Sequence, residues 1–502
     1  MTILSINLRR AIICIATFAI AFIATTGCGS SGSTSSSAFT TSSSETATAT
    51  TLTSSANTAT VGASLTLTAT VSPAAAGTVT FYDGSTSLGT GTLGSGTATL
   101  ATSLGTTGTH TLTATYEGTS TYASSTSSAV TVTVTAATTG ASACGYQDST
   151  NSAYNTAIDV YISGTNTLAA ATVAASGTDE SAVCAANAGT TLTLTNPTIT
   201  SSSNTAYQND SSFYGLDAAV LAYGAGKAAS TGAVLNITGG TVTTTGTFAS
   251  GVYAAAATVN ISGTTINASG NGGHGLYCAE GAVMNITSVT ATTSGQTGSV
   301  VATDTGGCTI TLNGGTYATT GTKSAGLYST GTFTASNATF TAANSPIAVI
   351  DGSNTIAVTS SSLTSADGDG RGVFLFSSAG KNATATNDSF TQTNGSLSYS
   401  CPASACSGLS ASAGQNVPAT MFAVTNTEST ITLTNVTMTN NVSTLLEAEA
   451  MTNGTTGANG GLVTFTASGT AMTGDVIVDS ISTATLMLAS SSTLTGAISL
   501  AV

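Results

Sequence analysis

Asn236-Ile-Thr-Gly-Gly-Thr-Val242 decides the fold, because it comes back along the chain. It returns as Asn260-Ile-Ser-Gly-Thr-Thr-Ile266, Asn285-Ile-Thr-Ser-Val-Thr-Ala291, Thr311-Leu-Asn-Gly-Gly-Thr-Tyr317 and Thr334-Ala-Ser-Asn-Ala-Thr-Phe340. Later copies end at Leu363, Phe390 and Met438. The starts from Asn236 to Ala357 lie 24, 25, 26, 23 and 23 residues apart. A second phrase keeps step: Ser250-Gly-Val-Tyr253, His274-Gly-Leu-Tyr277, Ala325-Gly-Leu-Tyr328 and Arg371-Gly-Val-Phe374. A fixed period in this range means one supersecondary unit stacked on copies of itself. Apolar and hydroxyl residues alternate within each unit, and Thr, Val and Ile dominate, so the units are strands. Residues 151–502 then make about 14 coils, a rod of about 65 Å at the usual strand spacing. Repeating Asn and Thr slots predict ladders, in which a side chain hydrogen-bonds its copy on the next coil.

Composition agrees. The 502 residues include 107 Thr, 69 Ser and 56 Gly, but 5 Pro and no Trp. Charged residues are 5%, and the net charge is −14. Long amphipathic helices need more Lys, Glu and Arg than that. Nucleic acid is excluded as an electrostatic partner, since it requires a basic face. Disorder is excluded because 41% of the residues are hydrophobic. What remains is a large all-β protein with a hydroxyl-rich surface.

The repeat resembles a right-handed parallel β-helix, as in pectin-lyase-like proteins and autotransporter passenger domains. Ahead of it, residues 47–135 carry alternating runs such as Ser64-Leu-Thr-Leu-Thr-Ala-Thr-Val71 and Thr78-Val-Thr-Phe-Tyr82, about seven strands of a sandwich. The segments Gly77-TVTFYDGSTSLG-Thr90 and Gly108-THTLTATYEGTSTYASS-Thr126 resemble the bacterial Ig-like repeats (group 3 type) of surface proteins. That resemblance implies a spacer or an adhesive module. The expected fold class is therefore all-β: an Ig-like β-sandwich, a linker over 136–150, then the solenoid. His110 is expected at a strand end on the surface. Gly461 to Val502 is still rung-like without a polar cap, so the last coil is expected to cap itself or the product to be truncated.

Arg9 and Arg10 precede an apolar run, Ala11 to Ala24, that is short for a bilayer span. With Thr25-Thr26-Gly27-Cys28 it resembles a bacterial lipoprotein signal over residues 1–27, although Leu is usual where Thr25 stands. The resemblance implies an exported chain held by a lipid on Cys28 to the outer membrane or cell surface. Residues 28–46 read as a Ser/Thr-rich tether. Removing residues 1–27 takes two of the 6 basic residues and none of the 20 acidic ones. The mature chain is repelled by anionic surfaces.

Six further cysteines, Cys144, Cys184, Cys278, Cys308, Cys401 and Cys406, are disulfide candidates in an exported chain. Neighbour pairing gives 144–184, 278–308 and 401–406. No metal or cofactor is expected. Asp367-Gly-Asp369-Gly370 reads as a turn rather than a calcium loop. Gly273-His274-Gly275 echoes a motif of β-helical pectin hydrolases, but their other segments are missing. The His274 slot holds Ser250, Ala325 and Arg371 in other copies, which is a strand-edge pattern. Glu280 and Asp304 fall on adjacent coils, 5 and 7 residues before the phrase, and Asp351 lies 6 before its own copy. Glu280 and Asp304 are the candidate carboxylate pair of a glycoside hydrolase. The leading expectation is instead an adhesin-like protein that binds a glycan or another surface through many weak contacts. Ice or mineral binding is a third possibility. It requires a regular Thr-x-Thr face, whereas the slots here drift among Thr, Ser, Asn and Ala.

Overall fold

The computed structural model describes residues 45–60, 63–105, 108–135, 144, 156–205, 215–224, 232–304, 307–366, 370–378, 387–401, 419–450 and 459–501. Among them the regular elements are all strands. The fold is an Ig-like domain followed by a parallel β-helix. Cys28, the signal and the linker apart from Cys144 lie outside the described residues, as do Cys406, Asp367 and Asp369.

Two parallel sheets build the solenoid. Sheet A has 13 strands, from Thr156–Tyr161 to Ile498–Ala501. Sheet B has 20 strands, most coils contributing two. Twelve coils are complete among the described residues, and the last strand of sheet A opens another. That is fewer than the spacing alone implied, because some intervals after Ser201 run longer than one repeat.

The repeated phrase maps onto sheet B residue by residue. Its second residue points inward, so Leu194, Ile237, Ile261, Ile286 and Leu312 stack in one buried column. A parallel column two residues earlier runs through Leu235, Val259, Met284, Ile310, Phe333 and Ile356. Its first residue faces out and forms the expected ladder. Asn260 Nδ2 donates to Asn236 Oδ1 at 2.8 Å, and Asn285 Nδ2 to Asn260 Oδ1 at 2.9 Å. The fourth residue makes the corner between the two strands. Asn196, Gly239, Gly263, Ser288, Gly314 and Asn337 hold φ between 48° and 70° there. Gly and Asn tolerate this left-handed turn best, which explains the residue choice. At another corner Gly246, Gly270, Gly295 and Gly321 stack, and a Cβ on each of the last three would strike the carbonyl of the glycine below.

Sheet A does not follow the alternation that the sequence suggested. Val252–Ala255 and Leu276–Ala279 are buried at every position. Their inward residues join the common core, while Leu221, Tyr253, Tyr277, Ala279 and Ala302 form a second apolar cluster on the outer side. A sheet covered on both faces reads as a continuous apolar run.

The Ig-like domain pairs Ala49–Ser54, Ser64–Ser72 and Thr97–Ser103 in one antiparallel sheet and packs it on a second, of six strands. Leu65, Leu67, Val79, Phe81 and Leu112 fill the space between. Tyr116 donates to the Ala76 carbonyl at 3.0 Å. His110 corrects its expectation: it is buried, and its Nδ1 lies 2.6 Å from Asp83 Oδ2. The domain also sits on the first coil. Leu104 is buried, and one hydrophobic core runs through sandwich and solenoid. Ser103 donates to the Thr167 carbonyl at 3.3 Å. The first coil would otherwise offer an open end, and the sandwich meets it.

Candidate functional site

The outer side of sheet A holds the ionisable and aromatic residues that the rod gathers. Register alone aligns Tyr277, Ala302, Tyr328, Val349 and Phe374 in one column. Two residues further along stand Ala279, Asp304, Thr330, Asp351 and Phe376; Asp351 pairs with Phe376, while Asp304 and Thr330 follow directly on the ends of their strands, with the Asp304 amide donating to the Cys278 carbonyl at 2.9 Å. Tyr277 donates to Asp304 Oδ2 at 2.7 Å. Tyr328 sits 3.4 Å from Asp351 Oδ2. Burial first, then Asp351 and Asp304, push the Tyr328 hydroxyl far above its ordinary range, so it stays protonated as a donor.

The structure places Asp304 in this column next to Ala279, not next to Glu280. Glu280 occupies the following residue, a left-handed turn with φ 54°. The two carboxylates are therefore not stacked on one another. His274 lies against Tyr277, with ring centroids 4.1 Å apart. Burial pulls its imidazole down to about 4, against the hydrogen bond to the Ser299 backbone, so the ring is neutral at pH 7. Its Nδ1 is buried without a hydrogen-bond partner.

A second group of charges lies further along the same face. Arg371 stands over the Phe374 ring at 4.4 Å, and Phe374 stacks on Phe376 at 4.6 Å. Glu447 lies on the strand Thr444–Ala448, and Glu449 follows one residue beyond its end, hydrogen-bonded to Glu447. Burial, then Glu449, raise the Glu447 carboxyl, while Arg371 opposes both effects. Burial raises Glu449 as well. Sequence reading missed this pair. The Glu-x-Glu spacing at a strand end was the available signal, but no repeat phrase marks that strand.

Among the described residues, no group of three or more His, Cys, Asp or Glu is arranged to hold a metal ion. Cys144 is joined to Cys184 and Cys278 to Cys308, with Cα atoms 6.2 and 6.1 Å apart. Cys401 is disulfide-bonded too. The first bridge lies in the outer cluster of sheet A, and the second ties one coil to the next.

The outer side of sheet B is chemically different. Thr172, Thr198, Thr241, Thr265, Thr290, Thr316 and Thr339 stand in register on successive coils. Ser362, Ser396 and Thr437 continue the column. The drift expected from the sequence is seen in the other outward columns, such as the neighbouring one through Thr200, Thr243, Asn267, Thr292 and Ala318. No charge interrupts either column. Where sandwich and solenoid meet, a cleft of about 630 Å³ is lined by Ser64, Leu88, Thr102, Asn166 and Thr167.

A family model described as bacterial Ig-like domain (group 3) matches residues 52–135. No curated protein and no solved structure matches the chain. An Ig-like domain of bacterial type joined to a parallel β-helix fits a surface adhesin-like protein.

Proposed function

We propose that this protein is a lipid-anchored bacterial surface protein whose rod binds a glycan on another surface. Cys28 carries the lipid, residues 28–46 are the tether, and the sandwich both spaces and covers the start of the rod. The observation that supports binding is the Thr column of sheet B, unbroken from Thr172 to Thr339. Its hydroxyls repeat at about 4.8 Å without charge, which suits weak contacts summed along a polymer.

The test uses residues 29–502, which retain every described residue. They are incubated with insoluble polysaccharides, and bound protein and new reducing ends are measured. Binding without new ends is expected. New ends that vanish in Glu280→Gln would favour the hydrolase instead. Lipid labelling that persists in Cys28→Ser would remove the anchor.

The regularity of the Thr column favours a second reading, adsorption to an ordered lattice such as ice. Thermal hysteresis in dilute protein separates it from glycan binding.

A further inference from the structure

We infer that the outer side of sheet A, from Asp304 to Phe376, is a track for one extended, cationic, β-1,4-linked amino-sugar chain lying along the rod. This deepens the glycan-binding reading and rests on it, but it concerns a different face.

On four successive coils Ala302, Tyr328, Val349 and Phe374 are in register, and two residues on from each stand Asp304, Thr330, Asp351 and Phe376, the first two just past their strand ends. Carboxylate coils thus alternate with aromatic coils. Like groups recur every second coil, and two coils span about 10 Å. That is the length of one disaccharide in an extended β-1,4-linked chain, in which alternate sugars present the same face. Aliphatic Val349 and Ala302 occupy the intervening slots and are buried, so the aromatic and acidic groups stand beside a low floor.

Chemistry selects the ligand. Tyr328 and the Phe374–Phe376 stack, both partly exposed, offer flat apolar surface to sugar rings. Asp304 and Asp351 are partly exposed acceptors, each already oriented by a tyrosine of the preceding coil. Beyond the stack the column runs through Ala423 to Glu447. Glu447 is 3% exposed, and its Oε2 has no hydrogen-bond partner. Among the described residues of this face the cation is Arg371, which Glu449 offsets, and Asp304 and Asp351 add two carboxylates. The face is therefore acidic, within a chain of net charge −14. An ammonium-bearing sugar complements it, and an anionic uronate chain is repelled.

The test is calorimetric titration of residues 29–502 with the β-1,4-linked glucosamine tetramer, its dimer and cellotetraose. The tetramer is expected to bind at least tenfold tighter than the dimer and to weaken at high salt. Asp304→Asn and Asp351→Asn should each lower its affinity severalfold, with unchanged thermal unfolding. Thr290→Ala, on the other sheet, should leave it unaltered. Cellotetraose binding as tightly as the amino-sugar, or tetramer affinity unchanged in both Asn variants, overturns the inference. So does absence of tetramer binding. Loss of adhesion to insoluble polysaccharides in Thr-column variants, with tetramer binding intact, counts for the track. Tetramer binding without any polysaccharide adhesion sinks the adhesion reading alone.

Discussion

The two outer faces of the rod obey different rules. On sheet B one column keeps Thr through seven coils, Thr172 to Thr339. On sheet A the corresponding residue varies, from Tyr277 to Ala302 to Tyr328 to Val349. The cause is burial. Outward residues of sheet B meet water and their own copies, so any residue that bonds its copy is acceptable, and uniformity costs nothing. Outward residues of sheet A in the early coils are covered, and each must fit what lies on it. Uniformity favours many equal weak contacts. Individuality permits a local arrangement such as Tyr277 holding Asp304.

Four measurements break or sharpen this contrast. The largest effect belongs to the core that both sheets share. Phe333 is fully buried, and Phe333→Ala should cost about 3–5 kcal/mol in urea unfolding. Thr290→Ala on the exposed column should stay within about 0.5 kcal/mol. Similar costs for the two would erase the distinction between the faces.

Next comes the bridge that ties adjacent coils of sheet A. The Cys278→Ser, Cys308→Ser double variant opens a loop of 30 residues and should lose about 2–4 kcal/mol. An unchanged urea midpoint would mean that strand pairing alone holds those coils together.

Acidity separates the buried carboxyls from the hydroxyl face. Burial lifts Asp388 to about 7, against its bonds from Thr427 and the Asn354 backbone. Burial, then Asp179, lifts Asp217 to about 7. Both folded values lie above the unfolded one near 4. Between about pH 4 and 7 the folded state therefore holds protons that the unfolded chain has released, and stability falls as pH rises. His274 acts oppositely over its own window, from about 4 to 6.5, and partly offsets this. Asp388→Asn should flatten the decline by on the order of 2 kcal/mol. A slope left unchanged by that substitution would assign it elsewhere.

The smallest effect is local. Tyr277→Phe removes the hydrogen bond to Asp304 and should cost about 1 kcal/mol. Its value lies in the readout. Tetramer affinity should fall while polysaccharide adhesion through sheet B holds, because only one face is touched.

Much of the fold was legible from residue order. A period near 24 residues and the alternation inside it require stacked strands, since only a coil returning to the same place makes each slot meet its copy. The Asn236, Asn260 and Asn285 ladder followed from the phrase itself. Less of the site was legible. Counting back from the phrase put Glu280 and Asp304 on one side, yet a one-residue difference sends Glu280 to a corner and leaves Asp304 in the column. Burial of both faces of sheet A was not visible either, because an apolar run looks the same whether one side or two are covered.

The sequence by itself determined the repeat, the hydroxyl surface and the excess of acid, since these are sums and spacings along the chain. Only the tertiary structure decided which Tyr meets which Asp, and that Glu447 lies buried with an unpaired oxygen. Those contacts join residues more than twenty positions apart, across coils of unequal length, and register between neighbouring strands sets them.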